Sequence, residues 1–223
     1  MTDFTSVHVT GPDWQSLCEE ALARLPAAPA GRLAFIYIAA ELAGETDRIL
    51  DYLRSRTEIP HWVGCVGMGL CSNGRETYDE PALSLLLTPF DEAAFRLMPP
   101  VEQGLDDWLT ATRDWRHATL ASVGVVHGDP ASTELPGLLE RLSSGLDGGF
   151  LVGGIASAES LPVQIADRAV GGGLSGVLLS GAVAVTTGLS QGCSLIGEKH
   201  TITGCQRNVI QTIDERPALD VFK

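Results

Sequence analysis

The run Leu33-Ala-Phe-Ile-Tyr-Ile-Ala39 is almost wholly apolar, with β-branched and aromatic residues in its middle. It is too short for a buried helix and reads as a strand covered on both faces. A strand of that kind constrains the rest of the chain, because other layers must supply its cover. Suitable elements lie on either side. Trp14, Leu17, Cys18, Ala21, Leu22 and Leu25 fall on one face of a helix, with Asp13 as its N-cap and Pro26 and Pro29 as its stop. Gly44 to Arg56 reads as a second helix through Ile49, Tyr52 and Leu53. His61 to Leu70 is apolar and Gly-rich, and Ala82 to Thr88 is a further apolar strand.

Beyond Pro89 the pattern weakens. Residues 91–116 carry prolines and one helical stretch (Leu105, Trp108, Leu109, Thr112) and read as a connector. The opening order then returns: a strand over Ala118–Val126, a helix marked by Leu135, Leu138, Leu139 and Leu142, a Gly-rich strand over Phe150–Ser157, and an apolar strand over Leu174–Ser180. Val63-Gly-Cys-Val-Gly67 in the first copy corresponds to Val152-Gly-Gly-Ile-Ala156 in the second. The fold class expected is therefore α/β, with duplicated β-α-β-β units. The last step of each unit is too short for a helical crossover, so the sheets should be mixed, with helices on the outer faces. A hairpin at Gly181 should lead into a strand over Ala182–Thr187, with further strands at Thr201–Thr203 and Asn208–Ile213 and a last helix opened by Pro217. The expected organisation is a duplicated domain over 1–187, with halves at about 31–90 and 117–187, followed by 188–223 as the start of a truncated second domain or a C-terminal extension.

Composition removes several function classes. The chain has 223 residues, 44% hydrophobic and 19% charged, which excludes disorder as a description of the whole. Its net charge of −13 repels phosphate backbones and anionic lipid, setting nucleic acid and membrane surfaces aside as partners. No apolar window reaches the roughly 18 residues of a membrane span. The start, Met-Thr-Asp-Phe-Thr-Ser, lacks the pattern of a signal peptide, so the expectation is a cytoplasmic protein whose 5 cysteines are reduced. No His pair or Cys pair has metal-ligand spacing, and no metal or cofactor is expected. Neither a G-x-S-x-G elbow nor a phosphate loop occurs, and no catalytic residue is assigned.

What remains is a set of small and polar residues beside apolar strands. Gly64, Cys65 and Gly67 lie in the first Gly-rich strand, and Gly153, Gly154 and Ser157 in the second. Glycines there either permit close backbone approach or leave backbone N–H groups open to a ligand. Ser190, Gln191, Gly192 and Cys193 follow a predicted strand, and Asn208 begins the next. Polar groups at strand ends beside glycines are the kind that orient a small ligand.

Several of these motifs together resemble the N-terminal domain of the FIST family. They are Val63-Gly-Cys-Val-Gly-Met-Gly, Gly74-Arg-Glu-Thr-Tyr-Asp-Glu-Pro-Ala-Leu-Ser-Leu-Leu-Leu, Phe150-Leu-Val-Gly-Gly-Ile-Ala-Ser and, above all, Leu189-Ser-Gln-Gly-Cys-Ser-Leu-Ile-Gly with Asn208-Val-Ile and Arg216-Pro-Ala-Leu. The resemblance covers roughly Ala34 to Phe222. It implies a small-ligand sensory domain of signal transduction, with amino acids or related metabolites as candidate ligands. It also implies that Ser190, Gln191, Gly192, Cys193 and Asn208 occupy family-typical positions. The sequence departs from the family pattern at Glu215, where Gly is usual, and at Cys205-Gln-Arg207, where an acidic-Gly pair is more typical. Two other classes stand beside this one: an enzyme using Cys65 or Cys193 as nucleophile, and a protein-interaction module that self-associates or docks a signalling partner through its acidic surface and C-terminal edge.

Overall fold

Asp13 starts the first helix as expected. Its carboxylate accepts the backbone N–H groups of Gln15 and Ser16, each at 3.0 Å, satisfying two donors that the helix itself leaves free. The structure, a computed structural model, describes every residue except 1–3, 27–28, 30, 147, 158–162, 189–191 and 193. The described chain divides into two compact units, Met1–Val185 and Thr186–Lys223.

The first unit is a mixed α/β structure. In chain order it holds β1 (Thr5–Thr10), α1 (Trp14–Arg24), β2 (Leu33–Ala39), a 3-10 turn (Ala40–Glu45), α2 (Thr46–Thr57) and β3 (His61–Gly67). The hairpin of β4 (Gly69–Ser72) and β5 (Arg75–Tyr78) and the strand β6 (Ala82–Leu87) come after β3. Next are β7 (Phe95–Val101), α3 (Leu105–Ala111), α4 (Arg113–Thr119), β8 (Val123–Gly128), α5 (Leu135–Ser144) and β9 (Phe150–Ile155). The short strands β10 (Gln164–Ala166) and β11 (Ala169–Val170) precede β12 (Leu174–Leu179).

These strands build two principal sheets, ordered β1-β6-β2-β3-β10-β11 and β7-β12-β8-β9. The sheets share a pairing scheme. β2 and β3 are parallel, as are β8 and β9, each pair joined by a helix. β6 runs antiparallel between β1 and β2, and β12 runs antiparallel between β7 and β8. In each sheet a later strand thus lies antiparallel on the far side of the first strand of the pair: β6 beside β2 after the β4–β5 hairpin, and β12 beside β8 after β10 and β11 have joined the first sheet. The register places Val63 opposite Phe35 and Val152 opposite Val125.

Alternation along the strands separates three apolar layers. One face of the first sheet packs on α1 and α2 through Ile36, Ile38, Trp62 and Leu85 against Leu17, Ala21, Ile49 and Leu53. The outer face of the second sheet packs on α3 and α5 through Met98, Val126 and Leu174 against Leu105, Leu135, Leu138 and Leu142. Between the sheets, Leu33, Phe35 and Val63 meet Phe95, Val177 and Leu179. The order is helices, sheet, sheet, helices. It explains why β2 is apolar on both sides: each face of the sheet has its own core.

Several expectations require correction. The stretch read as a connector contains β7, an edge strand of the second sheet. Pro99 and Pro100 are tolerated because an edge strand need not donate on both sides, and the pairing with β12 shifts register across them. The strand expected from Ala118 begins only at Val123, because α4 continues through Thr119 and ends at Leu120 with φ +52°. Residues 182–187 form no strand. β12 already pairs with β7 on one side and β8 on the other, so a following hairpin strand has no edge to join. β1 is absent from the expected elements; its alternation is short, and Val7 and Val9 are the residues it gives to the helix-side core.

The second unit holds β13 (Ile202–Gln206), β14 (Val209–Ile213), β15 (Arg216–Pro217) and α6 (Ala218–Phe222), with β14 central in its sheet. Pro217 is the residue before α6 rather than its first position. Both departures from the family pattern fall in its turns at left-handed backbone, Arg207 at φ +53° and Glu215 at φ +62°. Glycine adopts that conformation without the crowding a Cβ brings.

Candidate functional site

The inner face of the first sheet changes character along β2. Leu33 and Phe35 belong to the inter-sheet core, whereas Tyr37, the next inward residue, lines a cavity of about 350 Å³. Cys65, its register partner on β3, and Ser84, its partner on β6, line the same space. The β4–β5 hairpin contributes Leu70 from one side, and Ile155 and Ser157 at the end of β9 contribute from the other. Ser157 closes onto the link between β3 and β4: its Oγ accepts the Met68 N–H at 3.2 Å.

A polar chain holds the hairpin in place. His8 on β1 reaches Ser84 at 2.6 Å through Nδ1 and Thr77 on β5 at 2.9 Å through Nε2. Both ring nitrogens are occupied, and burial lowers the pKa of this imidazole, helped by Arg75. His8 thus acts as a strut that fixes Ser84 and the hairpin over the cavity.

The second sheet approaches the same place through His127 on β8. Its Nε2 lies 3.2 Å from the Tyr37 hydroxyl, and the two rings meet edge to face with centroids 5.6 Å apart. The two residues occupy matching positions. Leu33, Phe35 and Tyr37 point inward on β2 as Val123, Val125 and His127 do on β8. Tyr37 pairs with Cys65 and Ser84 where His127 pairs with Gly154 and Ser175. Burial raises the Tyr37 pKa to about 12, with Cys65 adding to the shift, and lowers that of His127 to about 4. Both groups are neutral at ordinary pH.

Burial also pushes the Cys65 thiol up to about 11. A thiol held protonated is a poor nucleophile, so the geometry here does not favour the cysteine-enzyme reading at Cys65. The described cysteines, Cys18, Cys65, Cys71 and Cys205, are free thiols. Among the described residues, no group of His, Cys, Asp and Glu is arranged to hold a metal ion.

The residues singled out from sequence are distributed over several places. Cys65, Gly67 and Ser157 line the cavity beneath the hairpin. Gly153 and Gly154 border a different, apolar cavity of about 210 Å³, lined also by Leu135 and Leu139 of α5. Gly64 lies against the neighbouring strand: a Cβ there would stand 1.7 Å from the Ile36 carbonyl oxygen. Gly153 is its counterpart, with a Cβ 1.8 Å from the Val126 carbonyl oxygen. Gly192 and Asn208 belong to the second unit, Asn208 in the turn between β13 and β14. Ser190, Gln191 and Cys193 lie outside the described residues. Sequence reasoning missed Tyr37, Ser84 and His127. Tyr37 sits inside an apolar run and His127 is a lone histidine, so only strand alternation could have placed both on an inward face.

A two-sheet α/β sandwich with a small cavity, lined by apolar and uncharged polar residues, at one end of the inter-sheet layer is the class of protein this geometry defines. The chain belongs to the FIST family: the FIST N domain model matches residues 32–216. That family comprises sensory domains of signalling proteins. Uncharacterized proteins of Mycobacterium tuberculosis are 30% identical over 217 residues, covering 94% of this chain and 56% of the relative. An uncharacterized protein of Mycobacterium bovis is 27% identical over 217 residues, covering 94% of this chain and 55% of the relative. The chain thus spans about half the length of the curated relatives it matches. Among the described residues, no helix is long and apolar enough to cross a membrane.

Proposed function

We propose that the chain is a small-ligand-binding sensory module and that its ligand occupies the cavity between β2, β3, β6 and the β4–β5 hairpin. The observation that carries this reading is convergence. Cys65, Gly67 and Ser157, drawn from both Gly-rich strands, meet around one cavity of about 350 Å³, within the size range of small-molecule sites. The shared pairing scheme of the two sheets supports reading the first unit as a duplicated domain. In that reading the second Gly-rich strand is a copy of the first, and its end supplies the opposite wall. Amino acids as ligands rest on the family resemblance.

The test is a thermal-shift screen with amino acids and neutral metabolites, with hits mapped by amide chemical shifts. A ligand at about 100 times its Kd should stabilise the fold by about 2.7 kcal/mol. The perturbed amides should be those of Cys65, Gly67 and Ser157. Absence of stabilisation at millimolar concentration, or shifts confined to other regions, would remove this assignment.

One observation favours a second reading, a protein-interaction module. None of the described residues of 186–223 is buried, and Leu195, Ile196, Val209, Leu219 and Phe222 are exposed apolar groups there. Exposed apolar side chains gathered in a short segment mark contact surfaces more often than bare ones. Sedimentation velocity across a concentration series reads the self-associating form; a monomer throughout would sink it.

A further inference from the structure

His127 is 2% exposed, yet its Nδ1 has no hydrogen-bond partner among the described residues. Its other nitrogen meets the Tyr37 hydroxyl. A neutral imidazole carries its proton on one nitrogen only. With the proton on Nε2, the ring donates to the Tyr37 oxygen, and the phenolic proton is free to donate into the cavity. With the proton on Nδ1, Tyr37 donates to Nε2, and its oxygen is free to accept. The pair therefore answers either a hydrogen-bond acceptor or a donor on a ligand.

The rest of the lining has the same character. Ser157, whose oxygen accepts the Met68 N–H, keeps its proton to donate, Ser84 shares its hydroxyl with His8, Cys65 offers a thiol kept protonated by burial, and Leu86 and Ile155 supply apolar wall. Such groups match an amide, a carbonyl or a hydroxyl. An ammonium or carboxylate placed against them gives up part of its hydration for partners without opposite charge, which is costly.

We propose that the cavity takes an uncharged small molecule whose amide, carbonyl or hydroxyl group hydrogen-bonds the Tyr37 hydroxyl, with His127 as the positioning residue behind it. This rests on the cavity being the ligand site, and it narrows the ligand to uncharged molecules, setting aside free amino acids, which are zwitterions, in favour of their neutral derivatives.

The test uses one carbon skeleton in four charge states: L-leucine (zwitterion), N-acetyl-L-leucine (anion), L-leucinamide (cation) and N-acetyl-L-leucinamide (neutral). Each is titrated into labelled protein, and the amide shifts of Cys65, Gly67 and Ser84 are followed. The neutral member should saturate with a Kd at least about tenfold below the others, and Tyr37→Phe should weaken it by about tenfold, the loss of one hydrogen bond. In the unmodified protein, binding should also move the ring-nitrogen shifts of His127 as its tautomer balance changes, a response that packing alone would not produce. If a charged member binds these amides as tightly, the uncharged class is wrong while the ligand site stands. If the neutral member binds Tyr37→Phe undiminished, or leaves the His127 nitrogens unmoved, the Tyr37–His127 role is wrong. If no member gives a saturable shift, both this proposal and the cavity assignment fall.

Discussion

Single residues decide the chemistry of the inter-sheet layer, and His127 is the one with the clearest consequence. Burial lowers its pKa from 6.5 to about 4. Between those values the unfolded chain takes up a proton that the folded chain refuses. The associated stability is therefore fully present above pH 6.5 and is lost as pH falls toward 4. One such group contributes a slope of about 1.4 kcal/mol per pH unit, about 3 kcal/mol over the window. Urea denaturation from pH 7 to pH 4 should show the slope in the natural protein and a flatter curve in His127→Gln, with carboxylate titration common to both. Identical curves would mean that His127 is not the buried neutral group described. Nothing in the sequence around His127 marks it as buried: His127-Gly-Asp-Pro reads as a strand entering a turn. It is a strand end, and Asp129 holds the turn, accepting the N–H groups of Ala131 at 2.8 Å and Gly172 at 2.9 Å.

At the scale of the elements, the Gly-rich strands separate two uses of glycine that sequence left open. Gly153 has φ +147° and no room for a Cβ, whereas nothing lies within 4 Å of a Cβ on its neighbour Gly154. Gly153→Ala should cost at least about 3 kcal/mol through backbone strain and collision with the Val126 carbonyl. Gly154→Ala should stay within about 0.5 kcal/mol, as open positions do. Chemical denaturation of the two variants side by side reads the difference, and equal costs would refute the geometry. The elements most legible from sequence were those with unbroken signals. Asp13 and the apolar face of α1 are local, and so is the run that forms β2. β7 was illegible because its prolines are acceptable only on an edge, and edge position is not a local property. The failed strand at 182–187 is the converse: its alternation is real, but both sides of β12 are already taken.

On the scale of the whole molecule, the buried core stops well before the chain does. Among the described residues, every buried hydrophobic one lies at or before Leu179, and those of the unit Thr186–Lys223 contribute none. A chain ending at Val185 should therefore still unfold cooperatively, with a Tm within about 4 °C of the full chain, the shift expected for about 1 kcal/mol in a domain of this size. A non-cooperative or strongly lowered transition would show that residues 186–223 stabilise the first unit. The candidate site follows the same division. The residues resembling the family most clearly, Ser190 to Cys193, lie outside the described residues apart from Gly192, while the cavity in the first unit draws on Cys65, Gly67 and Ser157.

By itself the sequence determined the mixed α/β class, the order of most helices and strands, and the family. Each of these depends on periodicity, caps or motifs contained within a few turns of chain. Only the tertiary structure decided that two sheets stack to make a third apolar layer, that β7 is an edge, and that Tyr37 and His127, 90 residues apart, share a hydrogen bond. Those outcomes depend on which strand pairs with which and which face turns inward, and strand pairing joins residues whose separation along the chain leaves no local trace.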